Sequence, residues 1–336
     1  MSDLDDAMPP GRSRSKDAIK MAFLLTATAA IIYILIRKLA GGEQLLDAIM
    51  AGNWTLLPVT AGLLVVFILL SGIRWRYIVQ TMGFELPFGR TMSVIMASCP
   101  LAIATPSRVS DFLRAVGIRD IVPLVQGSGS VLVHKFVDVQ SLCLLGITGG
   151  ILTGLYGWSL GIAAVLAGGF AFLGLLSWKR SFFLSLPVLN RFEKKFLQLF
   201  MAFGAMRQRP WRYVGLSLIS LLAWSVGLLI LFTLTRVFGA EVALVDIIAL
   251  WPIAVFVGLL PLTIGGMGTR DTAFIAMLDL VGSGPVDDAA LLASTLAYGL
   301  TVLGVPAVVG IPFMLRYMHR LPEPIADDMG ADDASE

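Results

Sequence analysis

The chain has 336 residues, 57% of them hydrophobic and 14% charged, with a mean hydropathy of +0.84. A soluble globular domain carries about 25% charged residues, so the composition excludes that class. A net charge of +2 is too small to point to nucleic acid.

Stretches 139–178, 213–235 and 289–315 contain no charged residue at all. Runs of about 20 apolar residues are what a helix needs to cross the hydrocarbon of a bilayer. Several such runs predict an all-α, polytopic transmembrane bundle, because backbone in lipid must satisfy its own hydrogen bonds. Cys99 and Cys143 both sit in apolar surroundings and read as free, buried thiols. With His134 and His319 as the only histidines, Cys and His alone cannot build a zinc site, and no metal or cofactor is expected.

Residues 1–20 are polar and read as a disordered cytoplasmic arm. The first apolar run, 21–36, follows Arg12, Arg14, Lys16 and Lys20 as a secretion signal would. Arg37 and Lys38 follow it directly with no small-residue cleavage pattern, so a retained first helix is expected. A second helix is expected over 55–73, then a basic turn with Arg74, Arg76 and Arg90. Residues 91–105 form an apolar run interrupted by Pro100; its 15 residues reach only about 22 Å as a helix. A polar segment, 106–120, and a short stretch broken by Gly127 and Gly129, 121–133, come next.

Full helices are expected over 136–155 and 160–177. The loop 179–212 holds eight basic residues against Glu193 alone, which predicts a basic amphipathic segment on an anionic cytoplasmic leaflet. Another span covers 213–235. Residues 247–261 repeat the short pattern, with Pro252, and lead through a glycine-rich segment to Arg270 and Asp271 before a short run, 272–278. The last span is 289–315, followed by an acidic tail, 319–336.

If the basic loop is cytoplasmic, so are both termini, and parity makes 91–135 and 247–281 return to the sides they leave. The expected architecture is therefore six full spans plus two hairpins of broken helices entering from opposite faces. That is the inverted-repeat signature of transporters with discontinuous helices at the substrate site. The alternative is a pair of ordinary tilted helices with charged turns.

At these hairpins the chain resembles the transmembrane, flippase-like family of lysylphosphatidylglycerol synthases. Four motifs occur in order: Arg74-Trp75; the block from Pro106 through Arg108 and Asp111 to Arg114; Lys135 three before Asp138; and the block from Pro261 through Gly265, Gly266 and Gly268 to Arg270-Asp271. Asp111 and Asp271 stand where the family usually has Glu, and Ser107 and Ser110 replace commoner glycines. The resemblance covers about residues 20–318. Bifunctional members add a soluble aminoacyl-transferase domain, and only 316–336 follows Leu315, so the resemblance implies a stand-alone, non-enzymatic translocator.

Arginine pairs two phosphate oxygens at once, which suits anionic lipid headgroups. Arg108, Asp111, Arg114, Gly265, Gly266, Gly268, Arg270 and Asp271 are the candidate headgroup site, with Arg108 and Arg270 converging on one phosphate. Interfacial snorkelling is the competing role for each arginine. His134, Lys135 and Asp138 share one helix face, as an ion pair in which Asp138 neutralises Lys135 or as a proton relay. The expected function is movement of a phospholipid or lipid-linked anionic headgroup between leaflets of a bacterial plasma membrane. The lipid stays open among aminoacylated phosphatidylglycerol, polyprenyl-phosphate sugars and hopanoids. The alternatives are a membrane subunit that recruits a lipid-modifying enzyme and an integral-membrane lipid phosphotransferase.

Overall fold

The computed structural model describes residues 26, 28–34, 37, 42–104, 110–178, 203, 204, 206, 208–260 and 262–318. The expected arm 1–20, the acidic tail 319–336, most of the basic loop 179–212 and much of the first span 21–36 lie outside the described residues. Within that first span, residues 28–34 are helical.

Among the described residues every regular element is a helix. In chain order they are α1 (Gly42–Met50), α2 (Leu57–Thr81), α3 (Phe88–Ala104), α4 (Ser110–Gly117), α5 (Leu124–Leu152) and α6 (Tyr156–Trp178). After these come α7 (Pro210–Val237), α8 (Leu244–Gly258), α9 (Thr269–Val281), α10 (Asp288–Gly299) and α11 (Val305–Met318). A π-helical turn, Leu300–Gly304, joins α10 to α11 without a break. Among the described residues four helices are long and apolar enough to cross a membrane: Trp54–Thr81, Leu124–Leu152, Pro210–Val237 and Asp288–Arg316; Tyr156–Ala171 and Leu244–Gly258 are shorter apolar helices. The polytopic helical bundle expected from composition is what forms.

Local signals set the ends of the spans. Proline occupies the first turn of α2 and α7, where its missing N–H has no helical partner to lose. Gly83, Gly154 and Gly239, two residues past the ends of α2, α5 and α7, take left-handed φ of +96°, +76° and +78° and stop those helices. At α10 the Asp287 carboxylate caps the helix by accepting from the Ala290 N–H at 2.9 Å.

Two sequence expectations need correction. The basic turn placed at Arg74 and Arg76 is part of α2, and Arg74 is buried. The broken stretch 121–133 and the helix 136–155 are one continuous helix, α5. Gly127 does not interrupt it; a Cβ there would lie 3.2 Å from the Ala115 Cβ, so the glycine lets α4 pack closely on α5.

Exposure separates lipid-facing from central helices. Val59, Val65, Val66, Leu69 and Ile73 of α2 and Val308, Val309, Ile311 and Leu315 of α11 are exposed apolar side chains. By contrast α5 buries Ser128, Ser130, His134, Gln140 and Ser141, the polar content expected of a helix inside a membrane bundle. Backbone contact replaces hydrophobic driving force between helices in lipid. A Cβ on Gly149 would lie 2.4 Å from the Ala249 Cα, and one on Gly310 would lie 2.2 Å from the Met96 oxygen, so α5 meets α8 and α11 meets α3 through bare backbone. Neither Cys99 nor Cys143 is in a disulfide; Cys143 is buried as expected, while Cys99 is half-buried and its thiol donates to the Ile95 carbonyl at 3.3 Å.

Polar contacts between helix ends fix the two hairpins. Arg90, at the start of α3, donates to the Gly117 carbonyl at 3.0 Å and pairs with Asp120 at 3.2 Å, so α3 and α4 leave and return on one face. Asp246, at the start of α8, accepts from the Ser283 N–H at 3.1 Å and hydroxyl at 2.8 Å, so α8 and α9 do the same. The face of the second hairpin also carries the Asn53 N–H bonded to the Val237 carbonyl at 2.7 Å. The face of the first carries Arg212 bonded to the Gln80 carbonyl at 3.4 Å. Because α2 and α7 run antiparallel between these two junctions, the hairpins enter from opposite faces. Single cysteines at Glu85 and Arg119 in a cysteine-free background should label from one side of a sealed vesicle. Cysteines at Glu241 and Gly284 should label only from the other, and labelling of all four from one side would contradict the fold.

Candidate functional site

The second hairpin turns at a tip whose backbone only glycine can follow. Gly265, Gly266 and Gly268 take φ of +62°, +75° and +91°, a region costly for residues with a Cβ. Space demands glycine too: a Cβ on Gly266 would lie 2.7 Å from the Gly258 oxygen, and one on Gly265 would lie 2.5 Å from Leu303 in the π turn. The next helix, α9, begins under its own carboxylate. Asp271 accepts from the Gly268 N–H at 2.9 Å, half of a capping box.

Arg270 lies inside this tip, 6% exposed, and Asp271 is fully buried. The guanidinium Nε and Nη2 donate to Asp271 Oδ1 at 3.0 and 2.9 Å. Its central carbon sits 4.7 Å from the Trp251 ring centre and 5.2 Å from that of Tyr298, so two aromatic faces cover the cation. Gly258 and Gly299 make the slot: a Cβ on the first would meet the Arg270 Cβ at 2.9 Å, and one on the second would meet Nη2 at 3.3 Å. Arg270 and Asp271 therefore hold the tip of the hairpin to α8 and α10.

Of the candidates in the first hairpin, Arg108 lies outside the described residues, as does Pro261 of the second block. Asp111 belongs to the first turn of α4. Arg114, in the last turn of α4, donates from Nε to the buried Ser98 hydroxyl on α3 at 3.1 Å. The inner part of the bundle brings the two candidate groups to one helix: α3, which holds Arg114, also touches the tip turn Ile264–Gly266 and the π turn.

A third charged group joins α2, α5 and α7. Arg74 Nη1 donates to Asp138 Oδ1 at 2.6 Å and to the Ser220 hydroxyl at 2.7 Å, while Nη2 meets His134 Nε2 at 2.7 Å. The Trp224 indole N–H reaches the same Asp138 oxygen at 2.9 Å, and the His134 ring lies 3.6 Å from the other. A guanidinium can only donate, so His134 Nε2 is the acceptor and the ring proton sits on Nδ1. Arg74 Nε and His134 Nδ1 are buried with no hydrogen-bond partner among the described residues. Beside this cluster the Trp75 indole, fully buried, donates to Ser130 at 3.0 Å. Asp138, expected to neutralise Lys135 on its own helix, is held by Arg74 from another. His134 and Asp138 share a face as expected.

The pair Arg74-Trp75, the run of polar side chains on α5 and the glycine tip thus occupy the places where the helices lock together. The sequence model of a protein family, described as the lysylphosphatidylglycerol synthase TM region, matches residues 19–310. The chain belongs to this family. It is accordingly an integral membrane protein of a lipid-related family. No curated protein matches it.

In this family member the residues that sequence reading left out of the site are mainly partners from distant helices. Arg74 entered only as half of a motif and as part of an expected basic turn, although charges late in a long, mostly apolar helix are a signal of pairing. Ser220, Trp224, Trp251 and Tyr298 carried no signal, since hydroxyls and aromatics are ordinary in apolar helices.

The Arg74–Asp138 pair gives a stability prediction. Asp138→Leu alone leaves the guanidinium buried and uncompensated and should cost about 3–5 kcal/mol. Arg74→Met combined with Asp138→Leu should recover much of that, because no orphaned charge remains. Unfolding of the purified protein in graded denaturing detergent measures both, and equal losses for the single and double variants would show that the pair is not the source.

Proposed function

We propose that the protein moves a phospholipid or lipid-linked anionic headgroup between leaflets, the headgroup crossing where the two hairpins meet. The observation that carries this reading is the contact between α3 and the tip turn Ile264–Gly266, made by hairpins that enter from opposite faces. A break of helical backbone such as the glycine tip is tolerated at membrane depth only where it is enclosed by protein or lines a wet cavity. Broken helices meeting near the midplane are the recurrent frame of transporter substrate sites.

In this reading the arginines divide their labour. Arg270 is committed to Asp271 and to the aromatic pair, so it positions the tip and supplies positive potential without a free fork. Arg114, half-buried on α4, and Arg108 contact the headgroup, with Asp111 orienting them. Arg74, His134 and Asp138 hold α2, α5 and α7 around the site, and Lys135 adds positive charge on α5. The side bearing 179–212 faces the cytoplasm of a bacterial cell, and the protein catalyses no covalent step. The sequence contains no phosphate-binding loop of the Gly-x-x-x-x-Gly-Lys-(Ser/Thr) type, which argues against direct drive by ATP.

The test is reconstitution of the purified chain in liposomes containing fluorescent phosphatidylglycerol, with a membrane-impermeant quencher added outside. Protein-containing vesicles should lose signal beyond the outer-leaflet share lost by empty ones. Arg114→Lys should slow that loss by about 10- to 100-fold, the equivalent of one charged hydrogen bond of about 1.5–3 kcal/mol. Wild-type vesicles indistinguishable from empty ones would sink the proposal and favour the enzyme-recruiting alternative.

Arg270→Lys separates positioning from contact. Because the native side chain is buried, ion-paired and covered by two aromatic rings, this variant should lower the detergent-unfolding midpoint by more than Arg114→Lys does, while Arg114→Lys has the larger effect on transport. An Arg270→Lys protein of native stability with normal transport would remove the tip from the mechanism.

A further inference from the structure

A crevice of about 580 Å³ opens on the lipid-facing side of the bundle between α5, α6 and α8. Its walls include Cys143, Gly157, Trp158, Gly161, Ile253 and Phe256, and among the described residues no charged side chain lines it. The volume is within the roughly 300–1,000 Å³ of ordinary ligand pockets. We infer that this crevice seats one acyl chain of a bilayer phospholipid and guides it toward the hairpin tip, an inference that rests on reading the protein as a lipid translocator.

Position is the first argument. Helix α6 starts at Tyr156 on the face where α8 also starts, and Trp158 marks that end of the crevice. Phe256 is twelve residues into α8, about 18 Å deeper at 1.5 Å per residue. The crevice therefore runs from one membrane surface toward mid-depth. Two residues beyond Phe256, α8 ends at Gly258, which packs against Gly266 and Arg270 of the tip. A lipid whose chain lies along this wall presents its headgroup end or its tail end at the hairpin junction as it moves.

The second argument is the absence of side chains where the helix could carry them. A Cβ on Gly157 or Gly161 would meet nothing within 4 Å. Helix packing does not demand glycine at either position, yet both leave a smooth, concave wall. Together they leave one strip of the α6 side of the crevice without side chains over one turn. The occupant follows from the surroundings: an apolar wall facing hydrocarbon, with no polar group to select anything else, fits an alkyl chain. In a bilayer the competing environment is other chains, so the crevice orients a tail by contact rather than extracting it from water.

The experiment uses the full chain in phosphatidylglycerol liposomes containing a phospholipid with a diazirine halfway along one acyl chain. After illumination, labelled peptides are mapped by mass spectrometry. Label should concentrate on the segments bearing Trp158 and Phe256, and Gly161→Phe should reduce it there to the level of the other lipid-facing helices. Gly168→Phe adds the same bulk to the same helix, also into open space and outside the crevice lining, and should leave the pattern intact. Even labelling of all lipid-facing helices, or a pattern unmoved by Gly161→Phe, overturns the inference. So does efficient cross-linking of two copies through a cysteine at Trp158 without lipid label, which would give the crevice to a second copy of the chain. Labelling needs no transport: crevice label in a protein that fails the quenching assay retires the translocator and keeps the tail site, while transport without crevice label retires the tail site alone.

Discussion

Backbone N–H and C=O groups at membrane depth have no water to turn to, and each one left unsatisfied in hydrocarbon costs several kcal/mol. The spans without an internal proline meet that demand by themselves, while a π turn and Pro312 interrupt the ladder of the last one. The chain nevertheless interrupts α8 before α9 near the middle of the bundle, at a turn of three left-handed glycines. That turn survives because Asp271 caps the next helix, the Thr269 hydroxyl donates to the Gly266 carbonyl at 3.2 Å, and protein from α3, α8 and the π turn encloses it. The glycines, the buried arginine and the π turn beside them are all consequences of placing a break where the bilayer forbids one.

Charge is handled by the same logic. Arg270 and Arg74 are almost entirely removed from solvent, and each has an acidic partner with further contacts around it. Such pairs add little net stability compared with apolar packing, but losing one partner is severe, so they specify one arrangement of helices and penalise others. Arg74 joins three long helices through Asp138, His134 and Ser220, and Arg270 joins the hairpin tip to the aromatic pair on α8 and α10. Between these two fixed points lies α3 with Arg114, the guanidinium that retains partial exposure. The paired arginines thus hold the helices of the bundle in one arrangement around α3 and α4.

Much of the bundle was legible in the sequence for simple reasons. Charge-free runs read as spans because a helix in hydrocarbon has to be apolar on all sides, and the prolines and short runs at 91–105 and 247–261 marked the hairpins. Parity of basic loops predicted that each hairpin returns to its own side; the Asp246–Ser283 contact shows this for the second, and the Arg90–Asp120 contact places the return of the first at 117–120, before the expected 135, since 124–135 already belongs to α5. Gly127 and Gly129 misled, since glycine breaks helices in water but serves close helix contact inside a membrane, so α5 was read as two pieces.

Residue types and order were enough to determine an all-α membrane protein, its family, its opposed hairpins and the glycine tip, because each depends on local composition or on neighbours in the chain. Partnership was decided only by the tertiary structure. Asp138 takes Arg74 from another helix, and Arg270 lies between Trp251 and Tyr298, because a buried charge is settled by whichever group packing brings within about 3 Å. That choice depends on how α2, α5, α7, α8 and α10 cross, which no spacing along the chain records.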